Sequence, residues 1–557
     1  MVPSHPTDGA SGPASRRHNP ALRRAAKLLN WPVNLALPFG RIDLRARHLT
    51  PLRRDWAILL ALCAGQMLLW SLAFGLTYQA PEIDSAEQFV WAFSLENGYW
   101  KHPPMPSWIM HGLLSIFGPS VTLPFVAAQA CVAVALILVW RLGCEFMSPR
   151  RALIAISLTS LVAYHNIGAD SFNHSTALLP FQAATVLFFY LATRRRSWQL
   201  WVVAGLCAGL SMLVKYVALM PIVGLLLYFG FDRRLHNRAG FLGLAIAFAT
   251  FAVVLLPHLL WLRSMDFLPF HYARSVARPM PGLLASLNGM ADFALTQALR
   301  LAPMLLGWVF VVARRREPDA EATLPSGSTR QLLFLWIVAV SPLALTMAFS
   351  VATQTELQSR WGSNAFLYCG LIAMACVNRL DTTLMLRRSI AVVAGLHVVL
   401  SLGMTIGKTV VADQVHFRTR ANFPGALLAS KASAIWKART DAPLRIVVSD
   451  IWLGGNIVAH SGGRVAVLID GHVFKSPWVD ETAVTACGAL VLDDQTKHAG
   501  GDLVNSAALD ALMAQASITG TWNLPWAVSQ RQATDAATGV IRWGIIDPRD
   551  PQHCPIR

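Results

Sequence analysis

Between residues 56 and 407 the chain is built from apolar runs long enough to cross a bilayer, and no other feature limits its fold as strongly. A helix rises 1.5 Å per residue, so about 20 apolar residues span a hydrocarbon core about 30 Å thick. Runs near this length lie at 56–78, 119–142, 152–168, 175–193, 198–214, 216–231, 240–262, 294–313, 331–350, 364–378 and 389–407. They predict a polytopic α-helical membrane protein with about eleven spans. The count depends most on 198–214 and 216–231, which meet at Lys215. Composition agrees, because 54% hydrophobic and 14% charged residues are too apolar for a soluble chain of 557 residues.

The net charge of +17 raises nucleic-acid binding, but the arginines fall in short clusters between apolar runs and do not form one basic face. No nucleic-acid partner is expected. Arg53/Arg54, Arg150/Arg151, Arg194 to Arg196, Arg233/Arg234, Arg314 to Arg316 and Arg387/Arg388 occupy every second connection. Basic loops stay in the cytoplasm, so this alternation predicts a cytoplasmic N-terminus. An odd number of spans then puts everything after about 410 outside, with 79–118, 169–174, 263–293 and 351–363. The first 50 residues are basic and rich in Ser, Pro and Gly, without the apolar core and cleavage site of a signal peptide. The expected division is a basic cytoplasmic tail (1–55), a membrane domain (56–409) and an external α/β domain (410–557).

In that last part, "RIVVSD" (445–450), "RVAVLID" (464–470), "GALVLDD" (488–494) and "VIRWGIID" (540–547) read as strands, and "SAALDALMAQA" (506–516) as a helix. No G-x-G-x-x-G follows the first strand, and no internal repeat is present. Asp470, His472, Asp493 and Asp494 invite a metal or hydrolase reading, yet no nucleophile elbow accompanies them. A structural or acceptor-contacting lid is the expectation. Six cysteines lie in or beside apolar runs, with no CxxC spacing. Cys487 and Cys554 remain, and an oxidising compartment permits them to pair; sequence leaves open whether their Cα atoms are close enough.

The first external segment reads "YQAPEIDSAEQFVWAFSLENGYWKHPPMPSW" (78–108). Taken alone it is a loop with solvated acids and a snorkelling lysine beside prolines, which end the preceding helical stretch. Its order, however, resembles the first external loop of C-type glycosyltransferases of the family 39 and 83 kind: a span, an acid just beyond it, an aromatic stretch, then "GYWKHPPMPSW" (98–108). That group includes protein O-mannosyltransferases and lipid A aminoarabinose transferases. "GLCAGLSMLVKYVALMP" (205–221) and "LLPHLLWLRSMDFLPFHYARS" (255–275) are similar to further family segments. The resemblance covers roughly 56–410.

The resemblance implies a polyprenyl-phosphate sugar donor and an acceptor that is a lipid, a polysaccharide or a protein, met at the outer face of a bacterial cytoplasmic membrane. It gives Asp84 the role of catalytic base, which suits a carboxylate placed to take the acceptor's proton. Transfer is one in-line displacement, inverting the anomeric carbon. Negative charge grows on the leaving phosphate, and held cations stabilise it. Lys101, His102, Arg360 and Lys215 are the expected phosphate-binding residues, with Asp170, Asn173, Glu87 and Tyr216 in support. Asp170 is equally well read as a helix N-terminal acid. His258 and His271 flank Trp261 and receive no role. A divalent ion is admitted without being demanded, and no ligand set is identified. Two other classes stay open: a flippase or transporter for lipid-linked sugars, which predicts charges within spans and a pseudo-repeat, and a membrane receptor, which tolerates loss of Asp84.

Overall fold

The computed structural model describes residues 51–280, 282–312, 329–377, 382–415, 417–496, 507–526 and 538–556. Residues 1–50 of the expected tail and the Arg314 to Arg316 cluster lie outside the described residues. The helices up to the second external stretch are α1 (Pro51–Thr77), α2 (Ile83–Trp91), α3 (Met105–Phe117), α4 (Leu123–Gly143), α5 (Pro149–Thr159) and α6 (His174–Arg195). They are followed by α7 (Trp198–Val214), α8 (Leu219–Phe231), α9 (Arg238–Ser264), α10 (Leu268–Ser275), α11 (Leu283–Val312), α12 (Thr329–Thr353), α13 (Cys369–Ala375) and α14 (Thr383–Ile406).

Among the described residues seven helices are long and apolar enough to cross a membrane: α1, α4, α6, α9, α11, α12 and α14. The apolar pair on either side of Lys215 is shorter. Two runs that read as spans are broken helices. The run 152–168 holds α5, of 11 residues, and a 3₁₀ turn at Ala163–His165. The run 364–378 holds a 3₁₀ turn, Ala365–Tyr368, followed by α13. At 1.5 Å per residue α5 covers about half of the hydrocarbon core. Every residue of α5 from Arg151 to Thr159 is buried, so its apolar character comes from packing inside the protein.

Beyond the membrane part come α15 (Gly425–Arg439), α16 (Ile451–His460), α17 (Glu481–Cys487) and α18 (Ala507–Ala514), around strands β1 (Ile446–Ser449), β2 (Ala466–Ile469), β3 (Ala489–Asp494), β4 (Ile518–Pro525) and β5 (Thr538–Ile546). The sheet order is β2-β1-β3-β5-β4. β1 pairs in parallel with β2 and β3, whereas β5 is antiparallel to β3 and β4. β1 and β2 are buried on both faces, which is why they read as unbroken apolar runs. β4 is an edge strand of mostly exposed and half-buried residues, so its polar sequence gave no strand signal. Cys487 and Cys554 form a disulfide with Cα atoms 5.0 Å apart, tying the end of α17 to the C-terminal segment.

One hydrophobic cluster joins Ala86, Phe89 and Trp91 of α2 to Trp452, Ile457 and Val467 around the sheet. α2 lies directly on α16. A Cβ at Gly455 would stand 2.5 Å from the Ala86 Cβ and 2.7 Å from its Cα, so only glycine admits this approach. Gln79 N donates to the Ala421 carbonyl at 2.6 Å, and Arg464 Nη2 to the Phe93 carbonyl at 2.7 Å. The helix that carries Asp84 is therefore clamped from the sheet side.

Candidate active site

α2 begins just beyond α1 and brings its acids to the first turn, with Glu82 at the N-cap and Asp84 following. A carboxylate is favoured there by the helix dipole. The turn before α6 is fastened to α2, because Ser85 Oγ and Ser171 Oγ stand 3.1 Å apart and Phe172 N donates to Ser85 Oγ at 3.0 Å. Asn173 caps α6: its Oδ1 accepts from the Ser175 and Thr176 backbone at 2.8 and 3.0 Å. Its Nδ2 is then free to donate to Asp84 Oδ2 at 3.3 Å. Arg360, in the 3₁₀ turn Ser359–Gly362, is ion-paired with the same Asp84 oxygen. Tyr164 and Gln297 hold that turn by hydrogen bonds to the Ser359 carbonyl.

Asp84, Tyr164, Asn173, Ser359 and Arg360 are on the wall of a cavity of about 300 Å³. Its charged lining sets Glu82, Asp84 and Asp170 against Arg300, Arg360 and Lys408, with Asn173 and Ser175 beside them. Asp170 does not act as the helix N-terminal acid; it accepts from Tyr78 OH at 2.6 Å and pairs with Lys408 at 3.4 Å. Lys408 also bonds Tyr78 and lies in a π-helical turn, Gly407–Val411, that continues α14. Such a turn holds one more residue than an α-helical one and re-aims its side chains. Glu82 meets Arg420 at 3.8 Å and Lys408 at 4.0 Å. Burial, reinforced by Asp170, pushes its carboxyl above the usual range against the pull of both cations.

Lys215 sits in the break between α7 and α8 and donates to Ser175 Oγ at 2.8 Å. Burial pulls its ammonium down to about 8, with Asp84 opposing. Tyr216 is not on the cavity wall: its OH and His258 Nε2 are 2.9 Å apart, and His258 Nδ1 lies 2.7 Å from the Asn97 carbonyl. A Cβ on Gly98 would overlap the Trp261 ring. His258 and Trp261 thus buttress the start of the "GYWKHPPMPSW" turn.

That turn is closed by two backbone hydrogen bonds between Tyr99 and His102, at 3.0 and 3.2 Å. Its prolines start a helix and do not end one: α2 stops at Trp91, whereas Pro104 is the N-cap of α3 and Pro106 lies in its first turn. The reason is that the fixed φ of proline suits a first helical turn, whose N–H groups need no intrahelical partner. Lys101 pairs with buried Glu87 at 2.6 Å, beneath Trp100. Burial raises the Glu87 carboxyl despite this partner. The His102 ring stands 4.2 Å from that of His174 between centroids, and burial, then His174 and Lys215, hold His102 well below the ordinary imidazole range. Lys101, His102 and Glu87 are not among the residues lining the cavity. Glu87, His102 and His174 do offer a metal ion ligand atoms within 4.8 Å of one another.

Sequence reasoning missed Arg300, Lys408 and Arg420. An arginine inside an apolar span was the available signal for Arg300; it stacks over Tyr164 at 5.4 Å and has no acidic partner among the described residues. The acids of the sheet are otherwise engaged, Asp470 with Lys475 at 2.7 Å and Asp493 with Arg542 at 3.0 Å.

Residues 101–261 match the family model for dolichyl-phosphate-mannose-protein mannosyltransferases. The lipopolysaccharide core galacturonosyltransferase RgtA of Rhizobium johnstonii is 25% identical over 68% of this chain and 75% of its own length. Lipid A galacturonosyltransferase RgtD of the same organism is 24% identical over 52% of this chain and 59% of its own. The crystal structure of ArnT from Cupriavidus metallidurans bound to undecaprenyl phosphate superposes with a TM-score of 0.53 at 12% identity, covering 87% of this chain and 98% of that one. The chain shares the fold of that transferase. It is an integral membrane protein, and sugar transfer is the class of reaction its curated relatives carry out. The shared fold extends past the membrane helices, since α1 to α14 supply less of the chain than the superposition covers.

Proposed function

We propose that this chain transfers a sugar from a polyprenyl-phosphate donor to an acceptor at the outer face of the membrane, inverting the anomeric carbon. The observation that carries the reading is the Asp84–Arg360 pair on the cavity wall. It sets a group that can accept a proton beside one that matches a phosphate. The donor phosphate draws Arg360 away from Asp84. The freed carboxylate then takes the proton of the acceptor hydroxyl or amine as that group attacks the anomeric carbon. The bond from sugar to phosphate breaks, and the electron pair leaves with the polyprenyl phosphate. Arg360, Lys215 and Arg300 stabilise the growing charge more in the transition state than before it. Asn173 keeps Asp84 oriented, while Lys101, His102, Glu87 and Tyr216 support the wall.

The outer-face location draws support from the arginine alternation and from the Cys487–Cys554 disulfide, a bond that persists in oxidising compartments. Reporter fusions after Arg196 and after Arg557 should report opposite sides, and agreement between them would detach the sheet from this scheme. The galacturonosyltransferase relatives make a hexuronosyl donor the first to assay. The deciding experiment measures transfer rate and polyprenyl-phosphate affinity on purified protein. Asp84→Asn should abolish most transfer and keep lipid-phosphate binding, whereas Arg360→Ala should weaken both. A folded Asp84→Asn variant that transfers at the normal rate removes Asp84 from the reaction. Mass spectrometry of envelope glycolipids and glycoproteins, with and without the gene, identifies sugar and acceptor together.

A further inference from the structure

The charges around the cavity do not balance. Arg300, Arg360 and Lys408 line it together with Glu82, Asp84 and Asp170, and Lys215 and Arg420 add two more cations at its edge through Ser175 and Glu82. Burial weakens the negative side further by raising the Glu82 carboxyl. A sugar on a polyprenyl phosphate brings a phosphodiester, which carries a single negative charge. It neutralises one of the two surplus cations and leaves the other. That surplus has a place. Arg360 holds Asp84, Lys408 holds Asp170 and Arg420 meets Glu82, while Lys215 has Ser175 and the pull of Asp84. Arg300, half-buried over the Tyr164 ring, makes neither an ion pair nor a hydrogen bond among the described residues. A guanidinium withdrawn from water without an anion costs free energy that an anionic ligand recovers.

We propose that Arg300 reads the sugar of the donor and selects one that carries a carboxylate at C6, a hexuronosyl group. This rests on the donor reading given above. Gln297, one helical turn before Arg300 on α11, and Tyr164 both donate to the Ser359 carbonyl, so Arg300 is tied to the turn that carries Arg360. The substrate has a matching arrangement. In a hexuronosyl phosphate the phosphate-bearing C1 and the carboxylate-bearing C5 flank the ring oxygen, so both anions lie along one edge of the sugar and meet two guanidiniums on one wall. The planar fork of Arg300 suits a carboxylate in bidentate fashion. With five N–H donors it can do this and still lend charge to the departing phosphate. A neutral hexose leaves Arg300 without its anion, and an amino sugar sets a second cation beside it.

The test uses full-length protein in nanodiscs and two donors that differ only at C6, polyprenyl-phosphate galacturonic acid and polyprenyl-phosphate galactose. Equilibrium binding and transfer are measured separately, with bare polyprenyl phosphate as a third ligand. Wild type should bind the acidic donor at least about tenfold more tightly than the neutral one. Arg300→Gln should bring the two affinities within about twofold, mainly by loss at the acidic donor. Arg300→Lys keeps the charge without the fork and should cut the discrimination at least about threefold; it serves as the test where the Gln variant does not fold. Wild type that binds both donors alike overturns the proposal. So does a folded Arg300→Gln variant that loses affinity equally for both donors and for bare polyprenyl phosphate, since Arg300 then serves the phosphate alone. Asp84→Asn should lose transfer and keep the preference in binding. Wild type that transfers neither sugar yet discriminates between the donors breaks the reaction scheme and upholds this proposal, whereas equal binding and transfer of both sugars does the reverse.

Discussion

α6 and α9 are both long enough to cross the membrane, yet 72% of the apolar window of α6 is buried within the protein and only 17% of that of α9. α9 presents Phe241, Leu242, Phe248, Val253 and Leu260 outward, and in lipid this asks for nothing but apolarity. α6 carries polar groups that each need a partner. Gln182 donates to the Asn364 carbonyl at 3.1 Å, and Thr185 and Ser211 hydroxyls stand 3.1 Å apart. The first turn of α6 then supplies Ser175 and Thr176 to the cavity, capped by Asn173. The outward wall presents apolar side chains, and the inner helices with their sheet-side clamp hold the polar lining of the cavity in place.

The largest expected break in that contrast is at Asp84. Asp84→Asn should keep the side chain's shape and lose proton acceptance, slowing transfer by roughly 10²- to 10⁴-fold. Next comes the clamp on the other side of α2. Gly455→Leu has to displace Ala86, and an overpacked contact costs about 1–3 kcal/mol. A shift of about 1 Å in α2 should lower turnover by roughly 10²-fold. Thermal unfolding and steady-state rates, measured together, separate the two effects; normal turnover would show that α16 does not position Asp84.

A smaller effect concerns Lys215. Its ammonium loses its proton near pH 8, below the ordinary lysine range, so it is charged below that pH and neutral above it. Affinity for polyprenyl phosphate should therefore fall as pH rises through about 8, and Lys215→Met should remove that limb of the profile. A wild-type affinity flat from pH 7 to 9 would take Lys215 out of phosphate binding. The smallest effect is on the lipid-facing wall. Gly403 of α14 has nothing within 4 Å of where a Cβ would sit. Gly403→Leu should change stability by no more than about 0.5 kcal/mol and leave turnover alone, in contrast to Gly455→Leu. A large loss at Gly403 would show that this face has a partner.

Legibility followed the same division. Spans were readable because lipid selects residues one at a time, strands β1, β2 and β3 because strands buried on both faces form continuous apolar runs, and β5 because its β-branched and aromatic residues alternate in burial. Runs 152–168 and 364–378 read as unbroken spans, whereas each holds a short helix and a 3₁₀ turn; α5 is buried in protein, which hydropathy cannot tell from exposure to lipid. Asp84, Asn173, Asp170 and Arg360 were singled out from resemblance, and the fold gathers all four at one cavity. Lys408 and Arg420 were missed because nothing near them in sequence marks them; they reach Glu82 only after the chain has traversed the membrane repeatedly.

By itself, the sequence determined that this is a membrane protein with an α/β segment after its last span, because apolar length and strand patterning are local properties of the chain. Tertiary structure alone decided which acid meets which cation. Asp84 and Arg360 are 276 positions apart, and Lys408 and Asp170 are 238 apart. Charge pairing depends on distances of a few ångströms, and those are set by how α2, α6, α11 and α14 pack around the cavity, a matter on which local pattern is silent.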